Sequence, residues 1–290
     1  MPFKDLVAII GNARSGTTAF GHAIAAATGA TYLGEIFHAV RGPQDDAEYE
    51  KYLIQPWTNF FSFKESVVRE FPALVYPSEE NQRILWRLFL HRVRERAQTR
   101  KLIIDIKYNS LHHLNFVWQD PAGTPGQLKI LRGDNVPIFH LVRNDLFAQA
   151  VSIQRAQLTG QWHFVASGPP PEIDKIKIDP EAAARFMQIS AAGRQFVAAS
   201  LRSYKPALEV VYENLFDDEG RLTQATRRRV GDVLGTELKQ ETELKLRKIL
   251  SQPLDALISN KDEILTHFKG HRFENEVRMH FAKPAARRTK

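Results

Sequence analysis

The stretch "VAIIGNARSGTTAFGHAIAAATG", Val7–Gly29, decides the fold. It holds an apolar run, a short turn rich in glycine and hydroxyl residues, and a helical segment. Leu6–Ile10 reads as a buried strand ended by Gly11. Within Thr17–Thr28, Phe20, Ile24 and Ala27 recur at i, i+4 and i+7, and Gly29 stops the helix. Such a turn offers backbone N–H groups and hydroxyls at a helix N-terminus, where a phosphate or sulfate binds. The loop of nucleotide triphosphatases needs Gly-x-x-x-x-Gly-Lys-Ser/Thr. Gly11 and Gly16 keep that separation, but Thr17 follows and the cation stands earlier, at Arg14. That exchange points away from Mg·ATP and toward a different phosphate-like group.

Working outward, Lys101–Ile106, Val136–Val142 and Leu208–Tyr212 read as further buried strands. Helical patterns lie between them. Asn81–Ala97 carries Ile84, Leu85, Leu88, Phe89 and Val93 on one face. Asp179–Ser203 opens with Asp179 as cap and Pro180 as first helical residue, and Thr223–Leu234 is closed by Gly235. Apolar strands alternating with helices predict an α/β fold: a P-loop-like three-layer sandwich with a central parallel sheet flanked by helices. Ligands of such sheets sit at the carboxyl ends of the strands. The expected organisation is a single domain over residues 1–275 and a basic tail over 276–290 that includes Lys283, Arg287, Arg288 and Lys290. Two stretches read as irregular. Glu35–Pro77 is rich in aromatic residues, and Trp162–Asp179, with Pro169–Pro171, reads as a surface loop or lid.

With 290 residues, 43% hydrophobic and 25% charged, the chain has the composition of a globular protein. No apolar run approaches the roughly 20 residues of a membrane span, and the N-terminus lacks the pattern of a secretory leader. A cytoplasmic location is therefore expected. The absence of cysteine excludes disulfides, thiol catalysis and Cys-ligated zinc. The formal charge of +7 is spread along the chain. It fits a pocket for a multiply charged anion better than a nucleic-acid surface.

A second segment, "FHLVRNDLFAQAVSIQRAQLTGQW" from Phe139 to Trp162, holds a strand that ends at Arg143, a turn, and a helix from about Asp145. An arginine at a strand end grips a phosphate bidentately, and Ser152, nine residues on, could share it. The same residues also fit an Arg–Asp surface pair and a serine bonded to its own helix.

Together these residues resemble sulfotransferases that use 3′-phosphoadenosine 5′-phosphosulfate (PAPS). "ARSGTT" is similar to their 5′-phosphosulfate loop, and Arg143 and Ser152 to their 3′-phosphate pair. "RNDLFAQAVSIQRAQLTGQW", "VVYENLFDD" and "LGEIFH" are similar to runs of the bacterial trehalose 2-sulfotransferase group, and "GEIF" also to nodulation-factor sulfotransferases. The resemblance implies transfer of a sulfuryl group from PAPS to a hydroxyl, on a carbohydrate or glycolipid, with no metal, and it leaves a homodimer open. It implies that Arg14, Ser15, Gly16, Thr17 and Thr18 hold the phosphosulfate and that Arg14 stabilises the leaving oxygen. It makes Glu35 the first choice of general base, His38 the second, and His112 or His113 the third. A carboxylate is a weak base at its ordinary pKa, so burial or a nearby anion must assist it. Lys107 ends its strand at the same edge, where it reaches the sulfuryl oxygens or the acceptor or is simply solvated. Lys269–Gly270 is similar to a short 3′-phosphate element. Trp57 and Trp162 are the aromatic residues to test for contact with the acceptor. The alternatives are a P-loop nucleotide kinase with a degenerate loop and a non-catalytic nucleotide-binding protein.

Overall fold

The computed structural model describes residues 5–38, 55–118, 123–160, 162, 175–239 and 253–282. Contacts group the chain into two compact units: residues 1–142 with 193–244, and residues 143–192 with 245–290.

The first unit is built on a five-stranded parallel sheet in the order β2-β3-β1-β4-β5. Its strands are β1 (Leu6–Gly11), β2 (Thr31–Glu35), β3 (Leu102–Lys107), β4 (Ile138–Val142) and β5 (Ala207–Val211). Side chains alternate across a strand, and here each alternation meets a separate core. Val7 and Ile9 face helix α1 (Thr17–Thr28), packing with Phe20, Ile24, Phe139 and Leu141. Ala8 and Ile10 point the other way, into a core with Ile104, Phe60, Trp86 and Phe89. Phe60 belongs to α2 (Phe60–Glu70), and Trp86 and Phe89 belong to α3 (Glu79–Ala97). Helix α4 (Gly126–Gly133) joins this second layer through Leu128, Ile130 and Leu131. The result is helices on both faces of one parallel sheet, the α/β architecture expected.

The alternation also sets up the site. Ile103, on the α1 side, is followed on the same face by Asp105 and Lys107 at the strand's carboxyl end. Residues Gly11 and Lys107 are paired in register between β1 and β3, and Glu35 pairs with Asp105 between β2 and β3. Three candidate elements of chemistry therefore end at one edge of the sheet.

Some boundaries differ from expectation. β2 ends at Glu35, where the segment read as irregular begins, and the sequence pattern predicts no strand there. It is an edge strand with a register shift between Tyr32 and Glu35, where Gly34 has φ 71°. Helix α2, capped by Asn59 accepting from the Ser62 N–H at 3.0 Å, lies further along that segment. On α3, Leu85, Phe89 and Val93 are buried as expected, but Ile84 and Leu88 are 37% and 40% exposed. Trp86 and Leu90 take the inner positions instead, because the buried stripe runs about one residue round the helix from the predicted one.

The second unit contains α5 (Leu146–Thr159), the first part of α6 (Pro180–Leu201), a single turn α8 (Leu254–Leu257), α9 (Lys261–His267) and α10 (Glu274–Phe281); helix α7 (Gln224–Leu234) belongs to the first unit. Phe147, Val151, Met187, Ile264, Phe268 and Val277 form its core. Helix α10 occupies the beginning of the segment read as a tail, while residues 283–290 lie outside the described residues. So does most of the Trp162–Asp179 loop, including Pro169–Pro171.

Candidate active site

The turn between β1 and α1 is wound tightly. Asn12 accepts through Oδ1 from the Ala13 N–H at 2.9 Å, and its carbonyl accepts from the Ser15 hydroxyl at 2.7 Å. Arg14 has φ 62° and Gly16 φ 85°, successive left-handed positions separated by Ser15. Gly16 is required twice over. A side chain is disfavoured at that φ, and a Cβ there would lie 2.6 Å from Cδ2 of Tyr212. Gly11 is equally confined, since a Cβ would come within 2.9 Å of the Leu141 carbonyl. Gly16 caps α1 without any side-chain hydrogen bond, and the first turn carries no acidic residue. The positive end of the helix is thus not neutralised from within. Ser15 and Thr17 are buried in this turn.

The cation absent from the loop comes from the neighbouring strand. Lys107 is buried and its Nζ donates to Thr17 Oγ1, at the first residue of α1. The same Nζ is 2.7 Å from Asp105 Oδ2 and 3.2 Å from Glu35 Oε1. Burial favours the neutral amine, but the Asp105 and Glu35 carboxylates outweigh it and hold Lys107 above its ordinary value. The reading of Lys107 as a solvated strand-end residue is therefore excluded. Tyr32 donates to Asp105 Oδ2 at 3.1 Å, and its phenol also bonds the Thr18 side chain. Burial, then the charges of Asp105 and Glu35, push the Tyr32 phenol well above its usual value. One ammonium thus faces two carboxylates beside a helix start that has no side-chain cap.

Glu35 stands at the end of β2, and its side chain is one-third exposed. The turn that follows is fixed by its backbone. The His38 N–H donates to the Glu35 carbonyl at 3.1 Å, and the His38 carbonyl accepts from Asn59 Nδ2 at 2.8 Å. His113 meets the Phe61 ring edge-on at 4.8 Å and lies 5.7 Å from that of Phe37, whereas His112 lies against Phe196. Trp57 packs, partly buried, on the core.

A separate group lies in the second unit. Arg143 leads into α5, on which Ser152 and Arg155 are buried. The start of this helix is closed by protein carboxylates: Asp145 accepts from the Ala148 N–H and Glu276 from the Phe147 N–H, each at 2.8 Å. His280 Nε2 lies 3.0 Å from Asp145 Oδ1. Although burial opposes it, hydrogen bonds from His280 and Ala148 lower the Asp145 pKa, while burial raises that of Glu276. Gly270, with φ 74°, donates its N–H to Glu274 Oε2 at 2.7 Å, so that amide is already engaged beside Lys269. Trp162 is half-buried.

Sequence reasoning missed Asp105 and Tyr32. The available signal was the acidic residue inside the otherwise apolar run "LIIDI", two residues before Lys107 and so on the same face.

Residues 7–252 match the model of the Stf0 sulphotransferase family. The chain belongs to that family. It is accordingly a transferase, and the strand–turn–helix of Val7–Gly29 and the Arg143–Ser152 segment both lie within the matched region. No curated protein matches the chain. Among the described residues no helix is long and apolar enough to cross a membrane.

Proposed function

We propose that this Stf0 sulphotransferase moves the sulfuryl group of PAPS to a hydroxyl of a carbohydrate or glycolipid, with Glu35 as general base. The observation that carries this reading is the buried Lys107 ammonium, which touches the start of the anion-binding helix and the Glu35 carboxylate at once. Arg14, Ser15, Gly16, Thr17 and Thr18 fit the 5′-phosphosulfate: the helix start has no side-chain cap and no acidic residue in its own first turn, and two left-handed residues lie in the turn before it. Arg143 and Ser152 are assigned to the 3′-phosphate, with a lesser part for Lys269 and Gly270.

Glu35 takes the proton of the acceptor hydroxyl as that oxygen bonds to sulfur. The sulfur–oxygen bond to the phosphate breaks with its electron pair, and Arg14 and Lys107 balance the charge left on that phosphate oxygen. No proton donor is needed for the leaving group, because a phosphate is a stable anion. Catalysis is then positioning together with fixed positive charge.

Thermal stability with adenosine 3′,5′-bisphosphate, set beside Mg·ATP and AMP, tests the donor assignment. Saturating bisphosphate at 100 times its Kd stabilises by about 2.7 kcal/mol, and Arg143→Ala should remove the shift. A shift with Mg·ATP alone would refute the assignment and favour a kinase. An active Glu35→Gln variant would move the base to His38.

A further inference from the structure

We propose that Asp105 is a positioning residue which shares Lys107 with Glu35 and so sets how readily Glu35 accepts a proton. The inference rests on Glu35 being the base. Lys107 has three partners and one charge. Asp105 is the nearer carboxylate, at 2.7 Å against 3.2 Å for Glu35. It is also fully buried, whereas Glu35 is one-third exposed. A charge pair is stronger where water is excluded, so Asp105 holds the larger part of Lys107.

The geometry gives Asp105 little else to do. It lies at 0% exposure in the middle of an apolar strand, where an ionised carboxylate is costly without a partner. Its Oδ1 meets no hydrogen-bond partner among the described residues, so its polar contacts pass through Oδ2, shared by Lys107 Nζ and Tyr32. Replacing such a pair with apolar residues is often neutral for folding. A Lys–Asp pair two residues apart on one strand, touching the candidate base, is better explained by what it does to that base.

Without Asp105, Lys107 would have Glu35 as its one carboxylate, and an opposite charge at that distance makes a carboxylate a poorer base. With Asp105 present, Lys107 stays anchored on the strand and against Thr17, ready to face the donor anion. The other groups around the cluster are Tyr32 on β2, His38, whose N–H donates to the Glu35 carbonyl, and His22 on α1. The His22 ring lies 4.9 Å from that of Tyr32, and burial holds its pKa below the ordinary value.

The test reads Glu35 directly and needs no acceptor. Protein labelled with 13C at glutamate carboxyls is titrated by NMR, with Glu35→Gln assigning the resonance. Asp105→Asn should move the Glu35 titration down by about one pH unit. An unmoved titration overturns the proposal. In a Lys107→Met background the same substitution should move it less than half as far. An equal movement would mean that Asp105 acts by direct repulsion and would also overturn it. Should Asp105→Asn fail to fold, Tyr32→Phe decides. Loss of the phenol's hydrogen bond strengthens Asp105's hold on Lys107 and should move Glu35 upward by a few tenths of a pH unit, and no movement overturns the proposal. These results are independent of turnover, so a Glu35 that titrates as described in an enzyme still active as Glu35→Gln would refute the base assignment alone.

Discussion

The sheet unit should lose stability in mild acid through one histidine. His140 sits in β4 at 2% exposure, its Nε2 2.8 Å from the Tyr108 hydroxyl. Burial, helped by the Arg194 cation, holds it down to about 4. Glu209 lies 3.8 Å from His140 Nδ1, but it is held by Arg194 at 3.0 Å and does not reverse the effect. The folded-state pKa is thus depressed below the unfolded value of about 6.5. Below that value the unfolded chain binds a proton that the folded chain refuses, so the contribution is intact at neutral pH and is lost as pH falls from about 6.5 toward 4. The full loss is about 3 kcal/mol, of which about 2 kcal/mol falls between pH 7 and pH 5. Urea denaturation of wild type and His140→Gln at both pH values, followed by fluorescence of the buried Trp86 in the same unit, isolates the effect. Glutamine keeps a partner for the Tyr108 hydroxyl, and titrations elsewhere cancel in the difference. The variant should lose about 2 kcal/mol less than wild type on acidification. Equal losses would refute the argument that His140 is folded in its neutral form.

Three further outcomes follow from the geometry. Lys107→Met leaves Asp105 buried without its cation and should cost about 3–5 kcal/mol in chemical denaturation, with much of it restored by adding Asp105→Asn. Gly16→Ala combines a left-handed φ with a 2.6 Å approach to the Tyr212 ring. It should cost about 1–3 kcal/mol by the same assay and remove the thermal shift with adenosine 3′,5′-bisphosphate. Asp145→Ala removes the side-chain cap of α5 and the partner of His280, and should lower stability by about 1 kcal/mol. The loss should shrink below the ordinary carboxylate range, because the hydrogen bonds that lower the Asp145 pKa stabilise only its charged form.

Much of the fold was legible because the strands are short apolar runs bounded by turn residues, and α1 carries both its periodicity and its terminal glycine. β2 was not. In "TYLGE" only Leu33 and Gly34 are buried, and the strand lies at the sheet edge with a register shift, so neither a continuous apolar run nor a clean alternation marks it. Ile84 and Leu88 misled the reading of α3 because an apolar residue at the margin of a stripe looks the same in sequence whether or not a neighbour covers it. At the site, the anion-binding turn could be read from Gly11, Arg14 and Gly16, since local backbone demands are written in local residues. The contact of Lys107 with Thr17, 90 positions away, depends on β3 lying beside β1, which no local pattern specifies.

The carboxylates that close the start of α5 also bear on synthesis. Glu276 meets the Phe147 N–H across 129 positions, and the unit that holds both is assembled from two stretches separated by residues 193–244. During translation at about 5–20 residues per second, Phe147 and its helix must wait several seconds for α10 to be made. Through that interval Phe147 and Val151, which end up in a core with Phe268 and Val277, have no such partners to cover them. The apolar face of α5 therefore stays partly open on the ribosome until α10 is made, and a nascent chain halted before Glu276 should be a form that chaperones retain.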